Sequence, residues 1–162
     1  MLIVGIDAAA VEADLRGGRL GCPGCGSGLR PWGHGVEREV RLRFGSERRR
    51  FRRSVCRLCA GTHVLIPEDT LLRRRDAVEV VGAALTAKAR GVGHRRIAAD
   101  LGRHASTVRG WLRRFAEMAV ALREHFTRWA RALDPDHDRL SPGGSALFDA
   151  VRWGCCSPPR HR

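Results

Sequence analysis

Cys22-Pro23-Gly24-Cys25 and Cys56-Arg57-Leu58-Cys59 form two CxxC pairs separated by 30 residues. A CxxC turn puts two thiolates on one side of an ion, and two such pairs complete the tetrahedral shell that zinc prefers. Gly26 after the first pair and Ala60-Gly61 after the second give the backbone freedom for amide N–H groups to point back at sulfur. The expected cofactor is therefore one structural Zn²⁺ held by Cys22, Cys25, Cys56 and Cys59. A shell of four thiolates is closed, whereas a catalytic site keeps an open position and a nearby acid or base. No Glu sits within the pairs as it does in zinc deaminases, so no catalytic residue is expected. His34 or His63 could replace one thiolate, but both read as surface or strand residues. A dithiol redox pair would need a single CxxC opening a helix in a βαβ setting, and neither pair has one. Cys155-Cys156 are adjacent, which hinders joint binding of one ion, and read as free thiols.

The chain between the pairs must bring them together. Val36, Val40, Leu42 and Phe44 share one parity, while Glu37, Glu39, Arg41 and Arg43 share the other. That alternation predicts a half-buried strand, Gly45-Ser46 a turn, and Phe51 with Val55 a returning strand. A β-hairpin carrying four cysteines is the plan of a zinc ribbon, here over residues 21–67. Metal binding would add on the order of 10 kcal/mol or more to a unit too small to fold comfortably alone. Ahead of it, residues 1–20 read as a short strand and a short helix capped by Asp7 and stopped by Gly17-Gly18. "MLIVGI" is too short to span a membrane and lacks the basic flank of a signal peptide. The protein is expected in the cytoplasm, where clustered cysteines serve metals more often than disulfides.

A second chemistry lies in "GHRRIAADLGRHASTVRGWLRRF", Gly93 to Phe115. Ile97, Ala98 and Leu101 fall on the inward face of one helix. Gly102 sits where the chain must turn, and Ala105 opens a second helix with Val108, Trp111, Leu112 and Phe115 facing the core. Ser106, Arg109 and Arg113 then share the opposite face. Lys88 to Arg114 holds eight basic residues against one acid, Asp100. Like charges at helical spacing repel, so an external polyanion is the natural partner. The pattern predicts a helix-turn-helix whose second helix enters a DNA major groove, with Ser106, Arg109 and Arg113 reaching base edges. His94, Arg95, Arg96, Arg103 and Thr107 would hold phosphates. Asn and Gln are absent from the chain, which removes bidentate reading of adenine and predicts a G-containing site.

Flanking elements complete the expectation. Asp76 and Glu79 suggest a capping box opening a helix from Ala77 to about Arg90, with Val78, Val81 and Leu85 as its apolar stripe. Beyond the motif a longer helix is expected from about Glu117 to Leu133. Its stripe of Met118, Leu122, His125, Trp129 and Ala132 is read as packing on the helical core, while leaving open a homodimer. The fold class is thus α+β: a small four-cysteine zinc ribbon, then an all-α helix-turn-helix domain over residues 74–133 with a long C-terminal helix. Residues 134–162 read as a flexible tail with a short helix at 145–153. From Arg38 to Arg53 there are eight arginines, read either as protection of a hairpin edge or as a second phosphate-binding surface.

The whole chain carries 30 Lys and Arg against 17 Asp and Glu. With a single lysine, Lys88, the choice of Arg over Lys reflects a GC-rich coding sequence; the excess of bases over acids does not follow from that. "CPGCG", "WGH", "CRLCAGTHVLIP", "RRRDAVEVVGAAL" and the Gly93–Phe115 stretch together resemble a bacterial zinc-ribbon plus helix-turn-helix family of unknown function, itself similar to the N-terminal DNA-binding regions of insertion-sequence transposases. The resemblance covers about residues 21–115. It implies binding to double-stranded DNA at element ends or a promoter, with a transposition or transcription partner, and the same four cysteines on zinc. A strand-transfer domain needs a nuclease fold with grouped acids, and only 29 residues follow Leu133. A non-enzymatic DNA-binding protein is therefore expected. Its rivals are a truncated transposase with residual catalysis and an adapter binding RNA or protein through the ribbon.

Overall fold

The computed structural model describes residues 1–133 and 151. The chain divides into two compact units, Met1–Val80 and Val81–Arg162. The tail, its short helix (position 151 apart) and Cys155-Cys156 lie outside the described residues.

In the first unit, β1 (Leu2–Val4) and α1 (Ala8–Arg16) precede β2 (Leu29–His34), β3 (Arg38–Arg41), β4 (Ser46–Arg49), β5 (Arg52–Cys56) and β6 (Thr62–Pro67). Asp7 caps α1, its Oδ1 accepting the N–H groups of Ala9 at 2.9 Å and Ala10 at 3.2 Å. Gly17 ends the helix, and Gly18 at φ +68° redirects the chain, a conformation that glycine adopts without a Cβ penalty. A four-stranded sheet runs in the order β1-β6-β5-β2, with β3 and β4 paired separately. β1 joins β6 in parallel, Leu2 opposite Leu65. The pairs β5–β6 and β2–β5 are antiparallel. Leu15, Leu29 and Leu65 close a core with Val4, Cys22 and Cys56. Each fully buried leucine contributes about 1.5–3 kcal/mol.

The single hairpin expected between the cysteine pairs is replaced by two layers of pairing. β2 pairs with β5, setting Leu29 opposite Cys56, and β3–β4 is an excursion between them. "LRPWGH" looks like a loop because Pro31 and Gly33 interrupt it. A register shift between Pro31 and His34, with Gly33 at φ +80°, absorbs both residues into a bulged strand. The alternation of the first predicted strand also ends early. Val40 is fully buried, but Val36 and Phe44 are 90% and 86% exposed, because pairing begins at Arg38 and stops at Arg41.

Three helices follow: α2 (Val78–Ala89), α3 (His94–Asp100) and α4 (Ala105–Leu133). Glu79, expected to close a capping box, accepts the backbone N–H of Arg43 at 2.9 Å and so fastens the β3–β4 turn. The buried residues of α2 are Val80 and Ala84, whereas Val78 is exposed and Val81 and Leu85 are half-buried. The predicted stripe was out of phase because "VEVVGAALTA" is apolar almost all round and offers no polar face to fix its rotation.

α3 ends in a Schellman turn. Arg103 N–H bonds to Ala98 O at 2.9 Å and Gly102 N–H to Ala99 O at 3.2 Å, with Gly102 at φ +60°. The two helices expected over residues 105–133 are one helix of 29 residues. Nothing between Phe115 and Glu117 breaks it: Ala116, Glu117, Met118 and Ala119 all favour helix. Among the described residues the expected packing of its C-terminal stripe is slight, with only Leu122 of the stripe half-buried. Burial ends at Ala119, and Met118 and Trp129 are 59% and 62% exposed.

Candidate functional site

Two neighbourhoods hold the residues singled out by sequence. In the first, Cys22 lies after the isolated Gly21–Gly28 bridge, and Cys56 ends β5. Each pair closes its own turn. Gly26 N–H bonds to Cys22 O at 2.8 Å and Cys22 N–H to Ser27 O at 2.8 Å; Cys56 N–H bonds to Gly61 O at 2.9 Å. Positive φ at Gly26 (74°) and Ala60 (55°) makes these turns tight. In each pair the first cysteine is buried and the second exposed, so the site is fixed to the core on one side and open to water on the other.

The four Sγ atoms lie within 4.8 Å of one another, close enough to bind one metal ion. Cys22 and Cys59 are 3.8 Å apart and Cys25 and Cys56 3.4 Å. Four sulfurs about 2.3 Å from a tetrahedral ion would be about 3.8 Å apart. Gly24 N–H points at Cys22 Sγ and Leu58 N–H at Cys56 Sγ, each at 3.4 Å. Such amide contacts stabilise negative sulfur. The N–H of Cys59, opposed by burial but aided by that of Leu58 and by the Cys25 and Cys59 thiols, brings the Cys56 thiol down to about 6. At Cys25 the Ser27 N–H acts to lower the value. It is outweighed by the Cys56 thiol, desolvation and the other two thiols, which together push Cys25 up to about 11.

His63 is nearer this centre than sequence reading placed it. It lies next to Thr62 at the start of β6, and its Nε2 is 3.4 Å from Cys22 Sγ while its Nδ1 is 2.9 Å from the Met1 amine. Spacing alone did not reveal this, because β6 returns His63 to the first cysteine pair only through its pairing with β5.

The second neighbourhood is the α3–α4 motif. Ile97, Ala98, Leu101, Val108, Trp111 and Leu112 are buried, as their spacing predicted, whereas Phe115 is only half-buried. Ser106, Arg109 and Arg113 are exposed and fall within roughly 60° of arc at about 100° per residue. His104, unremarked in the sequence, caps α4: Ser106 N–H reaches its Nδ1 at 3.3 Å, and its carbonyl accepts Thr107 N–H at 3.0 Å. Ser106 Oγ is 2.7 Å from the same ring nitrogen, so a base contact by Ser106 would compete with the cap. Arg113 is 3.8 Å from Glu117, with both side chains largely exposed, so its charge is only weakly offset. Among the phosphate candidates Arg95, Arg96 and Thr107 are exposed and His94 half-buried. Arg103 is half-buried and donates to Leu101 O at 3.1 Å and Gly102 O at 3.3 Å, which ties it to the turn.

Residues 73–121 match a homeodomain-like domain family. This family is found in transposases. No curated protein and no solved structure matches the chain. The match joins the exposed basic face of α4 to a known class of helix-turn-helix and makes duplex DNA the suggested partner. No described helix is long and apolar enough to cross a membrane.

The basic strands of the first unit differ from the motif. Arg41 lies 3.9 Å from Glu39, Arg48 3.3 Å from Glu37, and Arg52 2.8 Å from Glu12. Arg49 bonds to Glu47 and, at 2.7 Å, to Asp69. Half of the eight arginines between Arg38 and Arg53 therefore face a carboxylate, several supplied by residues distant in sequence. That pairing favours the structural reading of these strands over a second phosphate-binding surface.

Proposed function

We propose that the protein is a sequence-specific, non-enzymatic binder of double-stranded DNA, with a structural Zn²⁺ on Cys22, Cys25, Cys56 and Cys59. α4 would enter the major groove. Arg109 and Arg113 read guanine O6 and N7, Ser106 reaches a base edge, and His94, Arg95, Arg96 and Thr107 hold phosphates. One observation carries this reading: on a single helix, Arg109 and Arg113 stand exposed opposite the buried Val108, Trp111 and Leu112. The match to a family found in transposases favours a role at the ends of a mobile element or in regulating one.

Selection of bound duplexes from a random pool tests this. The wild type should yield a G-containing consensus, and Arg109→Ala or Arg113→Ala should relax it at individual positions, by about 1–3 kcal/mol per lost bidentate contact. An unaltered consensus in both variants would refute the assignment of the reading face.

A further inference from the structure

Cys59 and His63 stand four residues apart, one in the second cysteine turn and the other in the strand that follows it. Both reach the same partner: Cys22 Sγ lies 3.8 Å from Cys59 Sγ and 3.4 Å from His63 Nε2. A sulfur about 2.3 Å and an imidazole nitrogen about 2.0–2.1 Å from one tetrahedral ion would be about 3.6 Å apart. The Cys22–His63 separation suits a hydrogen bond, and it suits two ligands of one ion equally well. Four sulfurs fill a tetrahedral shell, so His63 can enter it only in place of one of them.

The local geometry says which one. A Cβ added at Gly61 would stand 3.4 Å from Cys59 Sγ and 3.6 Å from His63 Nε2, so both atoms flank one point of the backbone. Cys25 packs instead against Cys56, at 3.4 Å. The backbone of His63 is fixed, since it lies opposite Ser54 in the β5–β6 pair and its carbonyl accepts the buried Ser54 hydroxyl at 3.4 Å. His63 is half-buried, whereas Cys59 is exposed. The thiol that water reaches most easily on this side of the cluster thus has an imidazole held beside it on a paired strand.

We infer that His63 is a reserve ligand: when Cys59 leaves the ion, His63 Nε2 takes its position, and the shell passes from four sulfurs to three sulfurs and a nitrogen without opening to water. The inference rests on the four-cysteine zinc reading above and deepens it by naming the one thiolate that the site can spare. Structural zinc accepts either shell. An imidazole ligates through its unprotonated nitrogen, so in the exchanged shell the ring proton resides on Nδ1. Cys25, exposed like Cys59 but packed against Cys56, serves as the contrast.

The test titrates the full-length chain with zinc and follows stoichiometry, affinity against a chromophoric chelator, and the nitrogen NMR signals of the His63 ring. It compares the wild type, His63→Ala, Cys59→Ala, Cys25→Ala, and each cysteine variant combined with His63→Ala. Cys59→Ala should still bind one ion per chain, and loading should move its His63 Nε2 signal into the metal-bound range, which loading of the wild type should not do. Removing the ring from Cys59→Ala should cost more than the roughly 10–100-fold it costs the four-cysteine chain, the excess being the coupling between the two positions. In the Cys25→Ala background the same change should show no excess. A Cys59→Ala chain that takes up no zinc, or takes it up with an unmoved His63 signal, overturns the reserve ligand while leaving the four-thiolate site intact. Equal coupling of His63 to both cysteines overturns its assignment to the Cys59 position. A wild type whose Nε2 is already metal-bound overturns the reserve role, and a wild type that binds no zinc overturns both readings together.

Discussion

His63 Nε2 lies 3.4 Å from the sulfur of Cys22, which places an imidazole nitrogen beside a thiol that four-sulfur coordination would ionise. A ring N–H directed at a thiolate spreads its charge and fixes its orientation. Outer contacts of this kind typically govern 10–100-fold in metal affinity. His63→Ala should weaken zinc binding by about that factor while leaving a stoichiometry of one ion per chain. Competition against a chromophoric chelator measures it, and an unchanged affinity would show the ring to be a bystander.

Metal removal should unfold the first unit and spare the helices of the second. Protons compete for the ligands: with Cys56 near 6 and Cys25 near 11 in the metal-free cluster, loading at neutral pH must displace protons from sulfur. Affinity should therefore fall as pH drops through neutrality, and most of the metal should be lost in mild acid. Amide signals of β2, β5 and β6 should vanish with the metal while those of α3 and α4 persist. Strand signals that survive complete chelation would show that the apolar core suffices.

Arg38 should be dispensable. Its Nε and Nη2 are buried without hydrogen-bond partners among the described residues, its guanidinium rests 4.2 Å from the Phe51 ring centroid, and burial lowers its pKa. Unmade hydrogen bonds cost about 1–3 kcal/mol, against about 0.5–2 kcal/mol gained over the ring. Arg38→Met keeps the contact with the ring and drops the donors, so stability should stay within about 1 kcal/mol of wild type or rise. Chemical denaturation would decide, and a loss above about 2 kcal/mol would point to an acceptor for those donors.

Asp69 supplies an acid-side test of the Arg49 network. The hydrogen bond from Arg49, aided by Thr70 and opposed by burial, holds its carboxyl below the usual aspartate range. The folded-state pKa is depressed, so its contribution is present above the unfolded value near 4 and lost as pH falls through the folded value. The stabilisation should be about 1 kcal/mol or less, because the carboxylate keeps contact with water. A carboxyl-carbon NMR titration should give a midpoint below that of an ordinary aspartate, and Arg49→Met should return it to the usual range. A normal midpoint in the wild type would dissolve the proposed pair.

Legibility followed the locality of the cause. The Asp7 cap, the Gly102 turn and the inward set Ile97, Ala98, Leu101, Val108, Trp111 and Leu112 depend on neighbours within one or two helical turns, and the sequence displays those directly. The phase of α2 was hidden because an almost wholly apolar helix carries no contrast. The bulged β2 was hidden because its Pro31 and Gly33 are tolerated only where a partner strand absorbs the irregularity.

By itself, the sequence determined that four thiols come in two CxxC pairs and that α4 carries basic residues opposite an apolar seam, since residue type and spacing fix both. Only the tertiary structure decided that the pairs converge within 4.8 Å, that His63 joins them, and that half of the strand arginines face carboxylates, Glu12, Glu37 and Asp69 among them. Those outcomes depend on strand order and on which distant side chains meet. Spacing along the chain does not encode them, because they arise from pairing between segments tens of residues apart.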